Sequence, residues 1–273
     1  MAMGLGDVRV PDDHDFEKFR KLANGTEGWI QKYSKPSLKV WLQNTTEQNV
    51  TNVKLMKAHK VMNDVSANTM YDVLHDAEYR KVWDSNMLEG YELCILNPNN
   101  DISYYAMKCP SPLKNRDFVM QRTWLETRDE FIIFNHSIYH KELPPKKGFI
   151  RADSYLTGYL VKPMPRGCEL IYVTQSDPKG SLPKWVINKV AKFVAPSLMH
   201  RLHKACTRYP AWKQKHRPHY KPWLYPEQIT LPRFKPDDIM TKEDLPSDDS
   251  IEDDESEIKE ADFQEDIFLD DKE

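Results

Sequence analysis

Hydrophobic and polar positions change their period along this chain, and each change marks an element. Residues 11–23, PDDHDFEKFRKLA, put Phe16, Phe19 and Leu22 on one face of a helix. Pro11 suits its first turn, and Asp12, Asp13 and Asp15 suit the end where the helix dipole favours acids. GWIQKYS and LKVWLQ then read as a strand pair split by Lys35–Pro36–Ser37, and Val53, Leu55 and Lys57 alternate in a third strand. Helical spacing returns after Ser66, a predicted N-cap, with Met70, Val73 and Leu74 as the buried stripe. Six strand-like runs follow at 87–96, 102–109, 116–126, 130–139, 149–162 and 168–176, separated by turn residues such as NPNND, ETRD, PPKKG and PMPRG. From Leu182 to about Cys206 one long helix is expected, with Val186, Ile187, Val190, Phe193, Val194, Leu198, Met199 and Leu202 as a broad apolar face. Pro196 falls inside it, where a kink is expected. Residues 207–229, rich in proline and tryptophan, read as an extended cap over the body.

This order predicts an α+β fold. Its sheet is antiparallel, because short consecutive strands with tight connections pair that way. About nine strands are enough for the sheet to curl. The last helix has more apolar surface than an edge helix needs, and its natural place is across the mouth of the curl. A curved antiparallel sheet gripping a long C-terminal helix leaves a space between them, and such spaces hold apolar ligands.

Charge divides the chain. From Thr241 to Glu273 there are 16 acidic residues and 3 lysines, while the remainder carries 36 basic and 26 acidic residues. The expected organisation is therefore a moderately basic folded domain over residues 8–229 and an acidic tail over 230–273. That tail is too polar to bury the surface that would offset its chain entropy, so it is expected to be disordered. A basic body favours anionic partners, either membrane surfaces or nucleic acid. No apolar run approaches the roughly 18–20 residues that span a bilayer. The start, MAMGLGDVRVPDD, lacks the apolar core of a signal peptide. Cys94, Cys109, Cys168 and Cys206 form no C-x-x-C pair and suit a reduced, cytoplasmic protein.

The candidate chemistry centres on EYRKVWDSN, residues 78–86. Arg80 and Asp84 lie four apart, beside Tyr79 and Trp83, also four apart. One reading is an ordinary i,i+4 ion pair worth about 0.3–0.5 kcal/mol at a surface. The other is the polar end of a pocket. The basic residue precedes the acidic one, the less favourable order for a helix pair, and the flanking aromatics suggest partial burial, where an unpaired charge is costly. Arg116 and Asp117 are strand neighbours that point to opposite faces, so they are read as turn chemistry and a salt bridge. Lys184, Lys189 and Lys192 make the long helix basic, which suits either a solvated face or a docking surface for anionic bilayers. His200 and His203 come without further metal ligands, and no G-x-S-x-G, Walker or Cys–His signature appears, so neither a metal site nor a catalytic residue is assigned.

The motifs EYRKVWDSN, KNRDFV, TGYLV, DPKGSLPKWVINK and KACTRYPAWKQKH occur in this order and together resemble the START lipid-binding domain, most closely its phosphatidylcholine transfer subgroup. The resemblance covers about residues 10–229. It implies a helix-grip fold around one lipid, with no catalysis, no cofactor other than the phospholipid cargo, and transport of phosphatidylcholine, phosphatidylethanolamine or both between membranes. It further implies that Arg80 meets the lipid phosphate and that Asp84 orients Arg80 or faces the headgroup amine. Tyr105, Phe118 and Tyr155 match the subgroup's aromatic ring around choline, where cation–π attraction would hold a quaternary ammonium. Core packing is the competing reading of those three. Val173 or Thr174 stands where the subgroup has a further aromatic, and Leu74 where it has a tyrosine, so the cage is incomplete and would admit ethanolamine.

Ser250 lies among acids in SDDSIEDDESE and resembles an acidophilic kinase site, making such a kinase a possible partner. The expected location is cytoplasmic, with transient membrane contact. A lipid sensor or scaffold is the alternative function. Nucleic-acid binding is a weaker one, because the basic residues are spread rather than striped.

Overall fold

The computed structural model describes residues 3–43, 53–180, 182–245 and 255–260. Helix α1 (Asp13–Asn24) opens on Asp12, whose side chain accepts from the Asp15 amide at 3.1 Å, while the Asp15 carboxylate accepts from the Asp12 amide at 3.0 Å. This is a capping box built from two aspartates. Pro11 therefore precedes the helix rather than lying in its first turn. Strands β1 (Trp29–Lys35), β2 (Leu38–Gln43) and β3 (Leu55–Met62) follow. Next come α2 (Ala67–His75) and α3 (Ala77–Trp83), and Ser66 caps α2 through the Thr69 amide as expected.

The remaining strands are β4 (Met87–Asn97), β5 (Asn100–Met107), β6 (Asn115–Glu126), β7 (Phe131–Ser137), β8 (Phe149–Arg151), β9 (Asp153–Pro163) and β10 (Cys168–Asp177). The run expected as one strand over 149–162 is two. The Ala152 amide leaves the ladder to bond the Asp117 carbonyl, and β8 pairs in parallel with the start of β6. The main sheet runs β1-β2-β3-β10-β9-β7-β6-β5-β4, antiparallel throughout, with β1 and β4 as edges.

Side-chain alternation separates two faces of this sheet. On the convex face Phe16 and Phe19 of α1 pack on Ile132, Phe134, Leu160 and Ile171. Each such side chain contributes about 1.5–3 kcal/mol of burial. On the concave face Leu38, Val40, Leu42, Ala58 and Leu170 meet the closing helix through Met199, Leu202 and Ala205. A third cluster, Ile102, Tyr104, Val119 and Ile138, fills the convex side of β5 and β6.

The closing helix is interrupted just before Pro196, as expected, and is longer than expected. It is built from α4 (Lys184–Lys189), a π-helical turn (Val190–Val194) and α5 (Ala195–Lys215). Pro196 lies inside this continuous helix, where its ring and missing amide disturb the preceding turn, and the irregularity is the π turn at Val190–Val194 just before it. The helix also continues nine residues past Cys206 and through Pro210. Tyr209 and Trp212 stack near Tyr79, with ring centroids 5.0 and 4.7 Å away, and this packing offsets the lost hydrogen bond. Of the expected cap, residues 207–215 are thus helical.

Residues 230–240, expected to begin a disordered tail, pack against the body. The Ile95 amide donates to the Pro232 carbonyl at 3.0 Å, and the Phe234 amide donates to the Ile95 carbonyl at 2.9 Å. This strap covers part of edge strand β4, a position that would otherwise offer open hydrogen bonds.

Candidate functional site

Arg80 is aimed by a short, strongly tethered helix. Asp76 ends α2 and begins α3. Its carboxylate accepts from the Tyr79 amide at 3.0 Å, the Tyr209 hydroxyl at 3.0 Å and Lys213 Nζ at 2.8 Å. Tyr79 donates its hydroxyl to the Ala205 carbonyl at 2.8 Å. One buried carboxylate and one phenol therefore fix α3 on α5, and Arg80 comes next in the chain, on the adjoining face.

Asp84 caps the C-terminus of α3 and is 6% exposed. Its Oδ2 accepts from the Tyr105 hydroxyl at 2.9 Å and lies 3.8 Å from Arg80 Nε. The Arg80 guanidinium also stands 5.8 Å from the Tyr105 ring and 5.6 Å from the Trp83 ring. Burial works against the Arg80 charge, but the oxygens of Tyr159, Asp84 and Tyr105 outweigh it, so its pKa is raised. Buried Arg80 Nε and Trp83 Nε1 have no hydrogen-bond partner among the described residues. An unmet buried donor costs about 1–3 kcal/mol, so this corner is complete only with an added acceptor.

The Arg80 side chain faces the concave side of the sheet across the Tyr105 ring. Arg80 keeps 28% of its side-chain surface accessible, and Tyr105, Tyr159 and Tyr172 are also incompletely covered. Yet burial is the first influence on the ionisation of all four, raising the three phenols. Arg80 and these three rings line the gap between the concave face and α3, the hollow of this fold. The concave face supplies its walls. Tyr105 and Phe118 are directly opposed across β5 and β6, and Met120, Arg122 and Trp124 continue the same face.

The five expected headgroup residues do not all converge. Arg80, Asp84 and Tyr105 form one contact group, and Phe118 adjoins it through Tyr105. Tyr155 is the extra residue of a bulge, between Ser154 opposite Ser176 and Leu156 opposite Gln175. Burial raises its phenol, and the nearby charges are Lys179, Asp177 and Asp153 rather than Arg80. Val173 points to the convex core, and Thr174 is on the concave face, 2.7 Å from Thr157. Leu74 is core. Lys184 begins α4, Lys189 is 12% exposed over Trp185, and Lys192 is exposed beside Phe193 on the π turn. Ser250 lies outside the described residues.

Several inward polar groups had no local signal in the sequence. Arg122 binds Asp101 through Nε at 3.1 and 3.2 Å and reaches Glu92 at 3.3 Å. Asn135 lies opposite both Arg122 and Thr157, and its buried Oδ1 is unpartnered among the described residues. Ser154, Thr157, Thr174 and Ser176 join their hydroxyls alongside. Arg116 and Asp117 are structural, as read: Asp117 takes Arg151 in a bidentate pair at 2.9 and 3.0 Å, and Arg116 is bound to three carbonyls and Glu255. Among the described residues, two surface hollows lie elsewhere, one at Asn63–Asn68 and one between Trp29 and Trp41. Neither reaches the Arg80 corner.

Comparison with known proteins agrees with this geometry. A family model described as START domain matches residues 10–213. START domain-containing protein 10 of Mus musculus is 49% identical over 232 residues, covering 85% of this chain and 79% of that protein. Phosphatidylcholine transfer protein of Homo sapiens is 29% identical over 159 residues, covering 56% of this chain and 73% of that protein. The crystal structure of human STARD10 matches with a TM-score of 0.78 at 48% identity, covering 83% of this chain and 92% of that one. A curved sheet closed by its C-terminal helix and the matched span lead to one assignment: the chain belongs to the START domain family.

Proposed function

We propose that this protein is a non-catalytic carrier that holds one phospholipid in the hollow and moves it between membranes. Phosphatidylcholine, phosphatidylethanolamine or both are the cargo. The observation that carries the reading is the Arg80 corner: a cation kept charged, with two buried donors lacking partners. The accessible part of the Arg80 guanidinium can donate to a phosphate oxygen, and a guanidinium matches phosphate better than an ammonium does. Asp84 orients the corner while its Oδ2 is occupied by Tyr105. Tyr105 and Phe118 offer ring faces to the headgroup amine, whereas Tyr155, set apart by its bulge, is not needed for that contact.

Exposed Lys192 and Phe193 suit membrane contact by the closing helix, with Lys184 and Lys189 adding positive charge. No described helix is long and apolar enough to cross a membrane, and the expected membrane contact is peripheral and transient, from the cytoplasm. Phosphorylation of Ser250 by an acidophilic kinase would add charge that weakens contact with anionic bilayers.

Native mass spectrometry of the purified chain tests the carrier reading. One phospholipid per chain is expected, and Arg80→Met should lose it by at least about tenfold, the scale of one charge-assisted hydrogen bond. Far-UV circular dichroism should match wild type. A folded Arg80→Met protein that retains full phospholipid occupancy would overturn the assignment.

A further inference from the structure

Glu255 belongs to the most acidic stretch of the chain, yet it is 5% exposed. Its carboxylate accepts from the Lys114 amide at 2.8 Å and from Arg116 Nη1 at 3.2 Å, with a short second bond from Arg116 Nη2. Its own amide donates to the Gly180 carbonyl at 3.2 Å. Gly180 has φ +77°, and a Cβ there would stand 2.7 Å from Glu255 Oε2 and 2.9 Å from Arg116 Nη2. The backbone at 180 is thus shaped around the ion pair. Five residues on, Glu260 reaches Lys189, the last residue of α4, at 3.5 Å.

These contacts join parts that would have to separate for a lipid to pass. Arg116 lies on the concave face of β6, two residues before Phe118, at the end of the hollow nearest the Tyr105 ring. Residues 178–180 lead into the closing helix, and α4 is set off from α5 by the π turn. A π-helical turn inside a longer helix is a common point of local deformation. The first section of the closing helix is therefore pinned at both ends by one acidic segment.

We propose that residues 255–260 form an internal latch that holds α4 shut over the hollow, and that an anionic bilayer releases it. Lipid phosphates would compete with Glu255 and Glu260 for Arg116 and Lys189. The latch rests on the carrier reading but has its own readout. The experiment compares full-length wild type, Glu255→Ala and, as a control, Glu257→Ala, since Glu257 is exposed. Hydrogen exchange at 112–118 and 178–194 should speed up about tenfold in Glu255→Ala alone, the scale of a lost charge-assisted bond. Transfer from phosphatidylcholine donors to pure phosphatidylcholine acceptors should rise severalfold in that variant. Adding phosphatidylserine to acceptors should accelerate wild type and change Glu255→Ala little. Unchanged exchange at 178–194, or equal transfer by wild type and Glu255→Ala, would overturn the latch. If wild type carries no phospholipid, the carrier reading falls, and the exchange measurement still decides whether the latch exists.

Discussion

Arg122 and Arg80 both face the hollow, and their partners give them different work. Arg122 is satisfied by Asp101 and Glu92 on neighbouring strands, so it braces the wall. Arg80 is held charged, its Nε is unbonded among the described residues and its side chain stays 28% accessible, which suits a ligand. His75 shows burial acting on the opposite sign of chemistry. It stacks on Trp223 at 5.6 Å and packs edge-on against Tyr71 and Trp124, and burial holds its pKa well below the ordinary 6.5. The folded state thus keeps it neutral while the unfolded chain takes up a proton below pH 6.5. Stability from this site is full above that value and falls as pH drops. Linkage gives a loss of roughly 1 kcal/mol between pH 7.5 and 6. His75→Phe should flatten that part of the slope in urea titrations at the two pH values, and an unchanged slope would refute the assignment. Asp101, pushed up by burial to about 6, contributes with the opposite sign as pH approaches 6 and offsets part of the wild-type slope, so the His75 contribution is read as the difference between wild type and His75→Phe.

At the scale of elements, the hollow depends on α1 keeping to the convex face and α5 to the concave one. Gly158 on β9 makes the first contact close. A Cβ there would lie 2.5 Å from Phe19 and 2.8 Å from Phe134. Gly158→Ala should destabilise the protein by about 1–3 kcal/mol, the range for overpacking a full core. A denaturation midpoint equal to wild type would show that α1 moves aside freely. The second contact is made by α3 through Asp76, Tyr79, Tyr209 and Lys213, which explains why α5 runs to Lys215. The Tyr209–Pro210 step reads locally as a helix end, and packing against α3 overrides it.

For the whole molecule, a site with unmet donors couples cargo to stability. Bound lipid stabilises the folded state according to its affinity and free concentration. Chain stripped of lipid should melt several degrees lower than chain reloaded with phosphatidylcholine, since roughly 1 kcal/mol moves Tm by about 2–4 °C in a protein of this size. Scanning calorimetry of both forms checks this, and coincident transitions would argue against a filled hollow. The same scale explains the acidic segment. Composition alone treats 230–273 as solvated, but a strap at 230–240 and a carboxylate at 255 find partners in edge strand β4 and in Arg116.

The sequence by itself determined the element order, the antiparallel sheet, the Ser66 cap, the opposite faces of Arg116 and Asp117, and Arg80 as a candidate. These depend on spacings of two to four residues, which any chain displays locally. Tertiary structure alone decided that Arg122 is occupied and Arg80 is available, that Tyr155 is displaced by a bulge, that β8 splits from β9, and that Glu255 is buried. Each of these rests on groups from distant parts of the chain meeting across strands or loops. Local periodicity sets which face a side chain takes, whereas long-range packing sets what it meets there.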